Sequence, residues 1–295
     1  MFKDVTLGQY YQADSVIHRL DPRVKLAGTF LYMISLFVFN NIFCYLISAI
    51  LLAAVIILCR IPLGYMLKGM RAVIFIMVFA AVFNVLFTEG ESIWEFWIFH
   101  VSVKGIKMAI LMIIRLTLLI VSASIMTLTT TPNRLTDGME MMFRPLKIFK
   151  VPVHEFAMMM SIALRFIPIL SEEADKIVKA QTARGAKFDS KKLTDRVKSL
   201  IPLIVPLFIS AFRRAADLAL AMEARGYHGG DGRTKLYPLK YATRDYVSFI
   251  ILLLYIGAIV FFGITFSRFA EFLLQFFAGS HLGTCAEFLA MFFRA

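Results

Sequence analysis

The sequence predicts an all-α polytopic membrane protein with about five transmembrane helices and a basic helical region at the cytoplasmic membrane interface. Of its 295 residues, 59% are hydrophobic and only 18% are charged, whereas soluble domains carry about 25% charged and 45–50% apolar residues. The formal net charge is nevertheless +12. This combination is typical of membrane proteins with basic cytoplasmic segments. It argues against a soluble enzyme, a disordered chain and a nucleic-acid-binding protein.

The N-terminal segment, residues 1–25, is polar and lacks the apolar core of a signal peptide. We therefore expect the chain to enter the membrane through its own first span. From Leu26 to Cys59 the sequence is uncharged, which is too long for one membrane helix and suits two. The break is expected at Asn40 and Asn41, and Arg60 with Pro62 closes the second span.

Two further spans complete a predicted block of four transmembrane helices over residues 26–130. The third covers Ala72 to Phe87, and a polar turn with an aromatic patch around Trp94 follows it. The fourth covers Ile106 to Thr130 and contains Arg115, a costly residue inside a membrane that normally faces a partner within the bundle. The sequence does not identify that partner.

Charges in the connecting segments predict the orientation. Basic residues flank the first span and separate the second from the third: Arg19, Arg23, Lys25, Arg60, Lys68 and Arg71. The turn after the third span is acidic. Because positive residues mark the cytoplasmic side, we expect a multi-pass protein with a cytoplasmic N-terminus.

Residues 131–245 have a different character, since they hold 20 of the 32 Lys and Arg residues. Val151–Leu170 and Ser199–Phe212 are apolar but carry prolines or charges, so both are expected to lie at the cytoplasmic membrane face. A fifth span is predicted over residues 246–266. The tail, residues 267–295, could be a sixth span or an amphipathic helix at the outer face.

Motifs for catalysis or metal binding are missing from the sequence. There is no phosphate-binding GxxxxGK[ST] loop, and His154-Glu155 begins an HExxH pattern that Met158 breaks. Cys44, Cys59 and Cys285 are scattered, and the first two are expected to be buried small hydrophobes. The acidic group around Glu172 and Glu173 fits the first turn of a helix.

The tripeptide Ala-Arg-Gly occurs twice, as Ala183-Arg184-Gly185 and Ala224-Arg225-Gly226, 41 positions apart. Each copy alone is explained as a helix end, since Gly suits the left-handed cap and Arg suits the negative end of the helix dipole. Two copies in the most basic segment also predict two matched tips. Each would present a five-donor cation to an acidic groove on a partner.

With these features the sequence resembles the transmembrane coupling protein of energy-coupling factor (ECF) transporters, the EcfT/CbiQ family, over nearly the whole chain up to Phe266. The likeness is specific in the order and spacing of its segments: Ser15-Val-Ile-His18-Arg19-Leu-Asp21-Pro22-Arg23, Thr129-Thr-Thr-Pro132, Pro145-Leu-Lys147, Val151-Pro-Val-His-Glu155, Ser161-Ile-Ala-Leu-Arg165-Phe-Ile-Pro168, Glu172-Glu173-Ala174 and the two Ala-Arg-Gly copies.

The resemblance implies a non-catalytic subunit of an ECF-type importer for a vitamin or transition-metal ion, in the cell membrane of a prokaryote. Residues 131–245 would be a coupling-helix region on two ABC-type ATPase subunits, with Arg184 and Arg225 each entering one ATPase groove. Mg-ATP would bind those ATPases, and this chain would bind no cofactor or metal. A small membrane protein that binds the substrate, the S-component, would contact the helices at positions including Met158, Met159, Arg165, Leu203 and Pro206.

Two other interpretations stay open at the level of sequence. A membrane-embedded lipid-modifying enzyme could use the basic region to bind phosphate headgroups, although no catalytic constellation is present. A permease that holds the solute itself is the other, and it would bind a solute without any partner.

Overall fold

The computed structural model describes residues 10–39, 41–88, 92–96, 99–186, 193–229 and 239–277. The helices are α1 (Pro22–Val38), α2 (Ile42–Cys59), α3 (Leu63–Phe87), α4 (Val103–Thr129), α5 (Pro132–Phe143), a 3₁₀ helix (Arg144–Phe149), α6 (Val153–Ala183), α7 (Leu193–Ala224) and α8 (Thr243–Phe277). Their contacts divide the chain into two compact units. We call α1–α4 with α8 the transmembrane unit, and α5–α7 the basic unit.

The predicted all-α polytopic fold class is confirmed, because the predicted apolar stretches are helical in the part of the chain that the structure describes. Among the residues that the structure describes, four helices are long and apolar enough to cross a membrane, namely α2, α4, α6 and the Thr243–Thr265 part of α8. Val73–Phe87 is a shorter apolar stretch, and α1 has 17 residues. For α6 this finding differs from the sequence analysis, which expects its apolar part to lie at the cytoplasmic membrane face and not across the membrane.

The boundaries of α1 and α2 follow from their caps. Pro22 begins α1, where its missing N–H costs nothing, and the Asp21 side chain accepts a hydrogen bond from the Arg23 N–H. Asn41 caps α2 in the same way, so the predicted break between the first two spans is confirmed. Arg60 ends α2 in the left-handed conformation, with φ 55°.

The third helix is longer than predicted. It begins at Leu63 rather than Ala72, so Lys68 and Arg71 lie within the helix and not before it. Both are good helix formers, and the first residue that prevents a helix is Pro62. Side chains at these two positions are outside the described part of the structure.

A two-stranded antiparallel hairpin, β1 (Ser92–Phe96) and β2 (Phe99–Ser102), joins α3 to α4. The sequence did not predict this addition to the helical fold, although aromatic and β-branched residues favour strands. Gly105 of α4 lies tightly against this junction, because a Cβ there would be 3.2 Å from the Asn84 carbonyl oxygen. Residues 89–91 and Trp97 are outside the described residues.

The core of the transmembrane unit lies between α1, α2, α4 and α8. Leu36 and Ile259 are each 1% exposed, and Cys44 and Cys59 are buried with free thiols, as expected. Inside this core the Tyr255 hydroxyl lies 2.8 Å from Ser35 Oγ and 2.9 Å from Ser48 Oγ. The polar atoms therefore satisfy one another, as a water-free interior requires.

Arg115 finds its partner within the same unit. Its Nε donates to the Tyr45 hydroxyl at 2.8 Å, and its guanidinium carbon lies 5.8 Å from the centre of the Phe37 ring. The hydrogen bond and the cation–π contact lower the free-energy cost of placing a charge inside a membrane helix bundle.

The tail is corrected in part. The helix that contains the predicted fifth span continues to Phe277, so residues 267–277 extend α8 and do not begin a separate helix. Residues 278–295, with Cys285, lie outside the described residues.

Candidate functional site

Two long helices of the basic unit carry the candidate site. α6 runs unbroken over 31 residues and α7 over 32. The sequence suggests a separate helix beginning near Ser171, and this is wrong. Pro168 lies inside α6, as Pro202 and Pro206 lie inside α7. A proline removes one backbone hydrogen bond, but the helix-forming residues on both sides keep each helix continuous.

An ion pair joins the two helices. Arg214 Nη2 lies 3.0 Å from Glu173 Oε2. Glu173 therefore acts in the middle of α6 as a partner for α7, and its assignment to a helix start is wrong. Next to this pair, mainly apolar side chains line a cavity of about 250 Å³ between the helices, among them Phe166, Leu170, Ala215 and Leu218.

The end of α6 is a complete Schellman motif. The Gly185 N–H donates to the Thr182 carbonyl at 2.9 Å, and the Ala186 N–H donates to the Gln181 carbonyl at 3.0 Å. Gly185 has φ +90°, a conformation that favours glycine because it lacks Cβ. Arg184 is the capping residue between the helix and this glycine.

The end of α7 repeats the same pattern. The Gly226 N–H donates to the Glu223 carbonyl at 2.9 Å, and the Tyr227 N–H donates to the Met222 carbonyl at 3.0 Å. Gly226 has φ +67°. The two tripeptides, which we call the arginine tips, therefore close their helices with the same two hydrogen bonds and the same left-handed glycine.

The arginine tips are open to solvent. All six residues are exposed: Ala183, Arg184, Gly185, Ala224, Arg225 and Gly226. Among the residues that the structure describes, neither guanidinium has an ion-pair partner. Each is a cation at the negative end of a helix dipole. An acidic surface could bind such a tip by charge-assisted hydrogen bonds.

The positions predicted to contact the S-component differ in their exposure. Met159 and Arg165 are exposed, and Met158 and Pro206 are half-buried. Leu203 is only 6% exposed, so it offers little surface of its own. The helix period turns Leu203 inward and its neighbours outward, and contact of these positions with an S-component stays a prediction.

The exposed apolar stripe of α7 lies elsewhere on the helix. Its members are more than half exposed, namely Ile201, Ile204, Phe208, Ile209 and Phe212. Their spacing of three and four residues is the helical signal that could have found this stripe from the sequence.

His154, the first residue of the broken HExxH pattern, has a structural partner. Its Nδ1 lies 2.9 Å from Glu140 Oε1, which ties the start of α6 to α5. In the described part of the chain, no group of three or more His, Cys, Asp or Glu residues could hold a metal ion.

Comparison with known proteins finds a consistent set of relatives. The family model described as cobalt transport protein, CbiQ, matches residues 13–236. The energy-coupling factor transporter transmembrane protein EcfT of Ruminiclostridium cellulolyticum is 49% identical over 245 residues, which are 83% of this chain and 92% of the relative. The EcfT proteins of Thermosediminibacter oceani and Bacillus subtilis are 47% and 45% identical, over 88% and 89% of this chain and 98% and 99% of each relative.

Proposed function

The chain belongs to the CbiQ family of transporter transmembrane proteins, and we propose that it couples two ATPases to a substrate-binding membrane protein in an ECF-type importer. It is a non-catalytic, multi-pass membrane component of a prokaryotic transporter. Family membership therefore removes the alternative of a lipid-modifying enzyme. The proposed cargo is a vitamin or a transition-metal ion.

The observation that carries the proposal is the pair of matched arginine tips. Arg184 and Arg225 each cap a long helix, stand exposed, and are followed by a glycine with positive φ. A single such end is common. Two ends with the same hydrogen bonds suit two equivalent grooves, as on a dimer of ATPase subunits. We infer that each guanidinium binds acidic side chains in one groove.

The ion pair between the helices supports a coordinated movement of the tips. Glu173 precedes the end of α6 by ten residues, and Arg214 precedes the end of α7 by ten. At 1.5 Å per residue, each tip lies about 15 Å of helix beyond the pair. The two tips therefore lie at equal distances from this contact. Movement of the two grooves toward or away from each other would change the angle at which α6 crosses α7.

In the proposed cycle, Mg-ATP binds the ATPase subunits and this chain binds no nucleotide. Closure of the ATPase dimer brings the grooves together, and the arginine tips move with them. The changed crossing of α6 and α7 alters the surface that holds the S-component, which includes Met159 and Arg165 and the exposed stripe of α7 around Phe208. The S-component then reorients and releases its substrate in the cytoplasm.

The first prediction tests the arginine tips by charge reversal. In the double variant Arg184→Glu/Arg225→Glu, we expect loss of ATPase subunits from the affinity-purified complex and loss of ATP-driven uptake. The reason is that each attractive contact becomes repulsive, which costs several kcal/mol at a close charge pair. The amount of chain in the membrane should stay unchanged, because both side chains are exposed.

The matched control is Arg213→Glu, an exposed arginine on α7 away from the tip. It makes the same charge change as one tip substitution and should leave the complex intact. Normal ATPase recovery and normal uptake in the double tip variant would contradict the proposal. Binding of a solute by the purified chain alone would favour a permease instead.

A further inference from the structure

The segment between α5 and α6 has an unusual surface. Its 3₁₀ helix, Arg144–Phe149, leaves Ile148 84% exposed and Phe149 80% exposed. In the described part of the chain, no other large apolar side chain reaches either value; Phe75 and Ile57, on predicted membrane spans, come next at 76% and 75%. A pair of apolar side chains in this state needs a covering partner.

Basic residues surround this pair. Arg144, Lys147 and Lys150 belong to the same short segment, and all three are exposed. No acidic residue occurs in the sequence between Glu140 and Glu155. We call residues 144–150 the basic turn. Its positive charge is complementary to an anionic surface. Its protruding apolar side chains suit a surface with an apolar interior, into which they can insert.

The neighbouring element favours a lipid environment. α6 begins three residues after Lys150, and its length and composition would allow it to cross a membrane. Near its start Phe156, Met159 and Met160 are about half exposed. The basic turn thus continues directly into an apolar helix surface, and basic residues beside such surfaces lie at the cytoplasmic headgroups.

We propose that the basic turn is a membrane-surface anchor that binds anionic phospholipid. Ile148 and Phe149 enter the boundary between headgroups and acyl chains, and Arg144 and Lys150 bind lipid phosphate oxygens. Two apolar side chains alone give a weak anchor, and cations beside them add attraction to an anionic leaflet. The anchor would fix the start of α6 at the membrane surface, independently of what the arginine tips bind.

Fluorescence quenching tests the anchor in the full-length chain. Phe149→Trp is introduced after Trp94 and Trp97 are changed to Phe, and the protein is placed in nanodiscs that contain brominated phosphatidylcholine. The discs contain phosphatidylcholine alone or with about 30% phosphatidylglycerol, because an anionic leaflet is the proposed ligand. We expect quenching by lipids brominated near the headgroup, and more of it in the anionic discs. Ile148→Trp serves as a second reporter and should behave alike.

Two controls make the result specific. Arg144→Gln/Lys150→Gln should remove the gain from anionic lipid, whereas Lys176→Gln/Lys179→Gln, which removes two exposed charges from α6, should retain it. A tryptophan at Leu220, which is 64% exposed and has no basic residue in the four positions on either side, should show no such gain.

Absence of quenching at both reporter positions would overturn the anchor, as would an equal gain at position 220. Quenching that changes neither with anionic lipid nor with the Arg144→Gln/Lys150→Gln substitutions would also overturn it. Shielding of Phe149→Trp that needs added partner subunits rather than lipid would assign the turn to a protein contact instead.

Discussion

Gly185 and Gly226 decide whether the arginine tips can form. At both positions φ is positive, and no atom lies within 4 Å of where a Cβ would stand. A side chain there would meet no steric obstacle from neighbours, so its cost is conformational only. A non-glycine residue in the left-handed region costs about 1–2 kcal/mol.

We therefore predict that Gly185→Ala and Gly226→Ala each loosen one helix end and lower ATP-driven uptake by the reconstituted transporter. Gly257→Ala is the matched control, because Gly257 lies within α8 and also has free space around it. There alanine favours the helix by roughly 0.5–1 kcal/mol. Uptake that is unchanged in both tip variants would show that the left-handed caps are dispensable.

His18 is a buried neutral group in the segment before α1. Its Nε2 lies 3.0 Å from the Tyr11 carbonyl and its Nδ1 lies 2.7 Å from Ser15 Oγ. Because the carbonyl can only accept a hydrogen bond, Nε2 carries the proton and donates. Nδ1 then accepts a hydrogen bond from the serine hydroxyl, so the imidazole is in a neutral tautomer. Burial lowers the pKa of His18 below 6.5. The hydrogen bond to Tyr11 opposes this shift, and the nearby Lys25 charge adds to it.

The sign of the pH effect follows from this shift. The unfolded chain binds a proton more readily than the folded chain, so the stabilisation is complete above pH 6.5 and declines as the pH falls toward the lower pKa of the folded state. We predict that thermal stability decreases on acidification through this window and that His18→Gln flattens the decrease. A variant with the same acid sensitivity as the wild-type chain would contradict the assignment.

Contacts between residues close in sequence could be predicted, whereas partners far apart in sequence could not. The arginine tips follow from local sequence because a Schellman cap is defined by consecutive residues. The contact of Arg115 with Tyr45 joins positions 70 residues apart, and that of Glu173 with Arg214 joins positions 41 apart. Only the packing of helices brings these pairs together.

A polar contact inside the core of the transmembrane unit holds α8 to α1 and α2. The Tyr255 hydroxyl meets both Ser35 and Ser48, and Tyr255 is 5% exposed. We predict that Tyr255→Phe destabilises the transmembrane unit by about 1–2 kcal/mol, because two hydroxyls lose a buried partner.

The measurement is the thermal unfolding midpoint of the purified chain in detergent. Tyr246→Phe is the control, since Tyr246 lies on the same helix but is 59% exposed. Equal midpoints for the two variants would mean that the buried contact contributes nothing beyond ring packing.

The positions of the helices could be predicted better than their lengths. Hydrophobic runs located the apolar helices, but α3, α6, α7 and α8 all extend beyond the apolar residues that define them. Charged helix formers such as Lys68 continue a helix as readily as apolar ones. Pro168 lies inside α6, because a long helix on both sides tolerates one missing hydrogen bond.

In the whole molecule, the basic excess belongs mainly to one unit. Positions 131–245 hold 20 basic residues, and five of them have an observed or proposed contact. Arg214 joins α7 to α6. We propose that Arg184 and Arg225 bind the ATPases and that Arg144 and Lys150 bind lipid phosphate. A net charge of +12 in an apolar chain thus combines general orientation in the membrane with a few specific contacts.

Photo-crosslinking from the arginine tips tests whether these tips bind the ATPase subunits. A photoreactive amino acid is placed at Thr182 or at Glu223, which are exposed and lie two residues before Arg184 and Arg225. Asp217, exposed on α7 away from the tip, is the control position. The complete transporter is irradiated in native membranes, and mass spectrometry identifies the crosslinked proteins. We predict that positions 182 and 223 both capture ATPase subunits and that position 217 does not. Crosslinks from the two tips to lipid or to other proteins, with no ATPase captured, would contradict it.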